Sequence, residues 1–454
     1  MPRETEEGNI MNYIREFSMR ILSVGLLSLL ILIPLSSAAS VESLSTTLVQ
    51  TVTSNNITGQ STNFVFSGDY VLWNNVGTGG GLYLYSRKDN STRLIATEPA
   101  SGEGINGYTI SDGTVVWSNG ESSLHEYAIA SGVSQDIPDA NTVGSQKTYS
   151  WNGINGIQRW EPSMYGDRVV WFQGYPEGTY NNADIAFLNT TTNEMTLINE
   201  SPSAKGGLQI NGDNVVWYAY AMNNSVVDNT QTSIYLHNLA TGKDTVVSSD
   251  PGLKAQPSLS GEYIGWTDSG NPLAKPIPLS RVRIYTLSTG TIQTVPASSM
   301  EQFLGFISGD YAVYSECTPF DQIAAGADQQ CQSKIFDIKT GDVWQYPQSP
   351  TDQYSGIWGY SNGLFLVADT KDGAPAFSLV TADNLPPADT ITATPAPAMP
   401  GNNVTSLAGT TPSVPPVAGT PPAPTESPLS SLIPVTGVGA VCVTLGALRK
   451  MRRL

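Results

Sequence analysis

A short pattern recurs along the chain, and its spacing limits the possible folds more than any other feature. Gly68-Asp69-Tyr70-Val71-Leu72-Trp73 returns as Asp112-Gly113-Thr114-Val115-Val116-Trp117, Gly166-Asp167-Arg168-Val169-Val170-Trp171 and Gly212-Asp213-Asn214-Val215-Val216-Trp217. It returns again as Gly261-Glu262-Tyr263-Ile264-Gly265-Trp266 and Gly309-Asp310-Tyr311-Ala312-Val313-Tyr314, with a degenerate seventh copy at Asn362-Gly363-Leu364-Phe365-Leu366-Val367. The last position advances by 44, 54, 46, 49, 48 and 53 residues. Units of about 48 residues are the size of propeller blades with four strands each. The expected fold is all-β, a seven-bladed propeller over residues 44–384.

Each copy has the same internal order. A strand such as Phe64-Val65-Phe66 ends at the Gly-Asp turn, which feeds an apolar run such as Val215-Val216-Trp217. A run without alternation suits a strand buried on both faces, as when blades pack face to face. After a variable loop come a third strand, for example Ile284-Tyr285-Thr286-Leu287, a Thr-Gly turn such as Ser288-Thr289-Gly290-Thr291, and a closing strand. Glycine supplies the positive φ such a turn needs. The last copy stops at Phe377-Ser378-Leu379-Val380, and Thr46-Thr47-Leu48-Val49-Gln50-Thr51-Val52 precedes the first copy as an orphan strand. Pairing that N-terminal strand into the final blade would close the ring and remove an exposed edge.

The unit from Gln256 to Val295, with Ser260-Gly261-Glu262 before Trp266 and Arg283-Ile284-Tyr285 before Thr289-Gly290, resembles the TolB-type propeller repeat, a cousin of the WD repeats. The resemblance covers the propeller region and implies the fold. Propellers host many activities, so it implies no particular function. TolB-type proteins carry six blades, and with seven copies here their partners are not carried over.

Both ends read as segments outside the fold. Residues 1–39 contain Arg20, the apolar stretch Ile21–Ile33 and the small residues Ser36-Ser37-Ala38-Ala39, the parts of a secretory signal. Glu4, Glu6 and Glu7 are foreign to such a segment, which places the start of translation at Met11 or Met19. Residues 385–428 form a Pro/Thr-rich stalk: 13 of the 30 prolines lie between Pro386 and Pro434. Such a composition buries no core and runs extended, as an O-glycan carrier or a plain linker. Residues 429–448 are uncharged, twenty residues that as a helix would span roughly 30 Å. The basic tail 449–454 then stays cytoplasmic and everything before the anchor lies outside the cell. Ser427-Pro428-Leu429, the weak apolar span and the terminal Arg/Lys cluster resemble the sorting signals of archaeal surface proteins, though without a Pro-Gly-Phe motif. The expected protein is thus extracellular, held at the cell surface by its C-terminus.

The charge balance narrows the function. With 22 Lys+Arg against 39 Asp+Glu and a net charge of −17, the chain has no basic patch for phosphates, so nucleic acid is not an expected partner. Two histidines and three cysteines leave little for a His-based triad or a zinc site, and His125 and His237 read as ordinary strand residues. No cofactor and no metal are expected. Glu316, Asp321 and Asp328 share one loop but lack the spacing of a calcium loop. Cys317 and Cys331 in that loop are expected to form a disulfide, and Cys442 sits in the anchor. Glycosylation sequons occur at Asn56, Asn90, Asn189, Asn199, Asn223 and Asn403.

Three tryptophans fall outside the repeat position, Trp151 and Trp160 in the long lead-in to the third copy and Trp358 in that to the seventh; Tyr108 occupies a like place in the second. With Glu161 beside them they are candidates for stacking on sugar rings or a peptide; the alternative is that they cap the core. The expected function is non-enzymatic: a surface-anchored propeller binding envelope proteins or glycans. The alternatives are a carboxylate-based carbohydrate-active enzyme, since glycosidases and lyases need only paired Asp or Glu, and a purely structural envelope protein.

Overall fold

A computed structural model describes residues 41–52, 64–75, 80–98, 105–119, 123–137, 150–151, 154–155, 158–174, 184–200, 203–223, 226–323, 327, 329–347, 356–371 and 374–385. Both ends, from the signal-like segment to the stalk and anchor, lie outside these residues, as do Asn56 and Asn403.

The described residues fold as a seven-bladed β-propeller. Blade 1 holds Phe64–Ser67, Tyr70–Asn75, Gly81–Ser86 and Ser91–Thr97, and blade 2 holds Ile105–Ser111, Thr114–Asn119, Leu124–Ala128 and Val133–Ile137. Blade 3 runs from Gln158–Tyr165 through Arg168–Gly174 and Asp184–Asn189 to Glu194–Asn199. Blade 4 comprises Lys205–Asn211, Asn214–Asn223, Val226–Asn238 and Lys243–Ser248, and blade 5 Leu253–Ser260, Tyr263–Gly270, Arg281–Thr286 and Thr291–Thr294. Blade 6 uses Glu301–Ser308, Tyr311–Cys317, Cys331–Asp337 and Val343–Gln345. Blade 7 has Gly356–Ser361, Leu364–Lys371 and Ala374–Ala382, and its outer strand is Thr46–Val52, antiparallel to Ala374–Ala382. The N-terminal strand therefore closes the ring.

Sequence reading does not anticipate the three-residue strand Val41–Ser43, which adds a fifth strand to blade 6 beside Val343–Gln345. Its three side chains are exposed. Its placement rests on backbone pairing, continued by the Leu44 amide donating to the Gln345 carbonyl at 2.8 Å.

The core is divided into seams. Seven apolar clusters each join one blade to the next, including one that joins blade 7 to blade 1. The repeat position lies on the second strand and in every blade enters the seam with the preceding blade. Trp73 packs against blade 7, Trp117 against blade 1, Trp171 against blade 2, Trp217 against blade 3, Trp266 against blade 4, Tyr314 against blade 5 and Val367 against blade 6. Trp73, Trp171 and Trp266 are wholly buried. Removing one such ring to Ala costs about 3–5 kcal/mol.

The hairpin between inner and second strand carries a latch at the same seams. The residue before the turn accepts the amide of the next blade's turn glycine: Gly166 on Ser111, Gly261 on Asn211, Gly309 on Ser260, and Gly68 on Ser361 at 2.8 Å across the closure. That end of the disc is the hairpin face. The loops from second to third strands leave the opposite end, the loop face.

Candidate functional site

The inner strands bulge where they pass the repeat aromatic. In blades 3 to 5 the pairing register shifts opposite Trp171, Trp217 and Trp266, in blade 2 it shifts just beyond Trp117, and it shifts again in blades 6 and 7. Glu161, Gly207 and Gln256 take positive φ at these bulges. A bulge spends an extra residue and turns its side chain out of the ladder. This explains where the off-repeat candidates lie.

Glu161 is half-buried in the blade 3 bulge, where its carboxylate accepts the amides of Gly207, at 3.0 Å, and Leu208 from blade 4. Burial pushes its carboxyl up from the ordinary range, and the two backbone amides offset only part of that rise. Trp160 is half-buried against Phe172, 5.9 Å between ring centres, in the seam of blades 3 and 4. Tyr108 sits in the seam of blades 1 and 2, where its hydroxyl accepts the Asn74 amide at 3.3 Å and burial pushes its ionisation up. Trp358 packs edge-on against Phe64, 5.7 Å away, across the ring closure. Trp151 belongs to a two-residue strand paired with Ile154–Asn155, and its side chain lies outside the described residues. The structure thus distributes Tyr108, Trp160 and Trp358 over three different seams rather than gathering them on one open face.

What gathers on one face is a polar layer. Two residues beyond the repeat position on the second strand, toward the loop face, stand Asn75, Asn119, Gln173, Ala219, Asp268 and Glu316. Opposite them on the inner strands stand Ile105, Arg159, Lys205, Lys254 and Gln302. Each of these five lies twelve residues before its repeat aromatic. Four of the five are basic or amide residues, a column readable as a repeat property, although its partners across the seams were not.

The layer is satisfied differently from seam to seam. Lys254 donates its ammonium to the carbonyls of Thr232 and Asp250, and burial lowers its proton affinity against the pull of Asp268. Asp268 also meets Arg283, with Nε 3.1 Å from Oδ2. In blade 6, Lys334 Nζ lies 2.5 Å from Glu316 Oε2, and Gln302 Nε2 donates to Glu316 Oε1 at 3.2 Å. Nearby, Arg281 donates to the carbonyls of Ser280, Ser298 and Met300, and Glu301 accepts the Ser280 amide. In this same layer the buried Asn74 Oδ1, Ser118 Oγ, Asn119 Oδ1, Gln173 Oε1 and Gln302 Oε1 meet no hydrogen-bond partner. Buried polar atoms are ordinarily paired, so such a concentration at one level is informative.

Cys317 and Cys331 are bonded to each other at the loop end of blade 6. Asp328 lies outside the described residues, and no group of three metal-ligating side chains occurs among the described ones. Each histidine has an acidic neighbour that sequence spacing did not reveal. His125 Nδ1 lies 2.7 Å from Asp136 and His237 Nδ1 2.7 Å from Asp244, both across to outer strands. Of the sequon residues, Asn90 and Asn223 are exposed, whereas Asn189 and Asn199 are half-buried.

No family model matches the sequence, and no curated protein resembles it significantly. Solved structures with a similar fold include an oligogalacturonate lyase from Vibrio parahaemolyticus, at 12% identity over 76% of this chain and 98% of that one, with a TM-score of 0.48. They also include an acylaminoacyl peptidase from Pyrococcus horikoshii (11% identity, 70% of this chain and 50% of that one, TM-score 0.47). A third is TolB from Acinetobacter baumannii (13% identity, 68% and 78%, TM-score 0.35). Since a lyase and a peptidase appear among these propellers, the expectation that the chain is not an enzyme is corrected: the architecture supplies no ground for excluding catalysis.

Proposed function

We propose that this propeller binds carbohydrate of the cell envelope on its loop face, from a position outside the membrane to which residues 429–448 tether it. The observation that carries the reading is the set of five buried side-chain oxygens without partners at one level of the disc, Asn74, Ser118, Asn119, Gln173 and Gln302. Hydroxyl groups both donate and accept, so a glycan edge can satisfy such a layer, and each pairing recovers the cost of an unmet buried group. The disulfide at the same face fits an oxidising, extracellular setting. Envelope proteins remain the other partner class, reached through the same face.

A second reading has its own observation. Glu161 is a carboxyl whose proton affinity burial raises, the property of a general acid in glycan cleavage. A glycan array screened with the full chain, scored for retention and for released product, tests both. Retention of at least one glycan is expected. Product release that disappears in Glu161→Gln would establish the catalytic reading, and silence in both channels would refute the carbohydrate reading.

A further inference from the structure

The polar layer is most sharply incomplete at one seam. Val116 packs in the seam of blades 2 and 3, and Ser118, two residues on along the same strand, therefore faces the same way. Trp171 fills that seam from the other side, and Gln173, two residues beyond it, again shares its face. Cross-strand pairing places Arg159 and Asp184 on either side of Gln173. All five side chains are at least nine-tenths buried: Ser118 and Trp171 are 0% exposed, Asp184 1%, Gln173 2% and Arg159 5%. Among the atoms of this group without a hydrogen-bond partner are the Trp171 indole Nε1, the Ser118 hydroxyl and the Gln173 Oε1. They comprise a donor, a group that does both, and an acceptor. Ser118 and Gln173 each stand one residue from the loop-face end of their strand, so the group lies just inside the rim and not deep in the disc.

We propose that the seam of blades 2 and 3 is a recognition slot for the hydroxyl edge of a neutral sugar. One ligand hydroxyl accepts from Trp171 Nε1 and donates to Gln173 Oε1, and a neighbouring hydroxyl exchanges a bond with Ser118. A vicinal diol supplies that pattern, whereas an anion would leave the Gln173 oxygen unmet and face Asp184. The slot rests on the carbohydrate reading and makes it specific. The seam of blades 1 and 2 leaves the equivalent Asn74 and Asn119 oxygens unmet but adds no unmet indole, whereas blades 4 and 5 meet Lys254 with carbonyls and blades 5 and 6 close Glu316 onto Lys334 and Gln302.

The test is calorimetric titration of the full chain with glucose, galactose, mannose and N-acetylglucosamine, repeated on Gln173→Leu, Ser118→Ala and, as a control on the exposed outer strand of blade 2, Gln135→Ala. At least one neutral sugar is expected to bind the wild type, with Kd raised about tenfold or more in Gln173→Leu and Ser118→Ala and unchanged in Gln135→Ala. Ser118→Ala is small enough to fold if the Leu substitution does not. Unchanged affinity in both seam variants overturns the slot while leaving glycan binding elsewhere on the face intact. No binding by the wild type overturns the slot, and with a silent glycan array it overturns the wider reading too; wild-type silence with Gln173→Leu more stable assigns the seam to buried water alone.

Discussion

The buried pair in blade 6 makes a quantitative demand on the fold. Lys334 and Glu316 have side chains only 11% and 9% exposed, and the ammonium stands 2.5 Å from the carboxylate. An exposed pair of this kind contributes about 0–1 kcal/mol. Here, Lys334→Met leaves a buried carboxylate whose remaining partners, among them Gln302 at 3.2 Å and Ser298, cannot neutralise it, so a loss of about 3–5 kcal/mol at neutral pH is expected. In the wild type, burial pushes the Glu316 carboxyl up, and the bonds and charge of Lys334 together with Gln302 outweigh burial and hold it below the ordinary range. A lowered folded-state value stabilises above the unfolded value near 4.3 and ceases to do so as pH falls through the folded one.

In Lys334→Met burial acts without the ammonium, so folding takes up a proton. The gap between wild type and variant should therefore be widest at neutral pH and narrow toward about pH 4. Lys334→Met/Glu316→Gln, which buries no charge, should recover about half or more of the loss. Urea unfolding followed by tryptophan fluorescence at both pH values measures these differences. A neutral-pH loss below about 1 kcal/mol, or a loss equal at the two pH values, would show that the pair is hydrated like a surface contact and refute the reasoning.

Four other outcomes are expected. Glu161→Gln keeps an acceptor for the Gly207 amide but carries no charge; because burial raises the wild-type carboxyl, the wild type should lose stability relative to the variant as pH rises from about 4 to about 7, and parallel melting curves across that range would refute this. Gly207→Ala, at φ +67° with its new Cβ only 2.6 Å from Pro257 Cδ, should cost about 1–3 kcal/mol or more, against about 1 kcal/mol or less for Gly68→Ala, where the space is open. Deleting Thr46–Val52 bares the edge of Ala374–Ala382 and should lower the melting temperature and cause concentration-dependent association on size exclusion. Reducing the Cys317–Cys331 bond, which spans 14 residues, should cost about 3 kcal/mol in an unfolding titration.

The propeller was legible in the sequence because its determinants repeat locally. Trp73, Trp117, Trp171, Trp217 and Trp266 announce a period, and the apolar pairs before them announce strands buried on both faces. The strand Thr46–Val52 was legible for the complementary reason: the last blade lacked a member, and one spare strand remained. Val41–Ser43 gave no such signal, since its side chains are exposed and backbone pairing alone places it. The off-repeat aromatics suggested one binding face, yet whether Tyr108, Trp160 or Trp358 faces solvent depends on where the inner strand bulges and on what the next blade presents. Composition along the chain carries neither.

The same reasoning explains why the loop end of the seams is the place to look for function. At the level of the repeat aromatic every seam solves one problem in one way, with a large apolar residue against the preceding blade, and a change there costs the fold. Two residues farther toward the loop face the seams diverge. Lys254 is met by backbone carbonyls, Glu316 by Lys334 and Gln302, and Gln173 stands between Arg159 and Asp184 with its oxygen unmet. A position that the architecture does not dictate, in a chain whose seams are otherwise built alike, can vary without breaking the ring. An unmet buried acceptor there costs about 1–3 kcal/mol. Packing alone would remove that cost with an apolar residue, as the equivalent Ala219 does in blade 4, so its retention in blade 3 argues that the oxygen has work outside the fold.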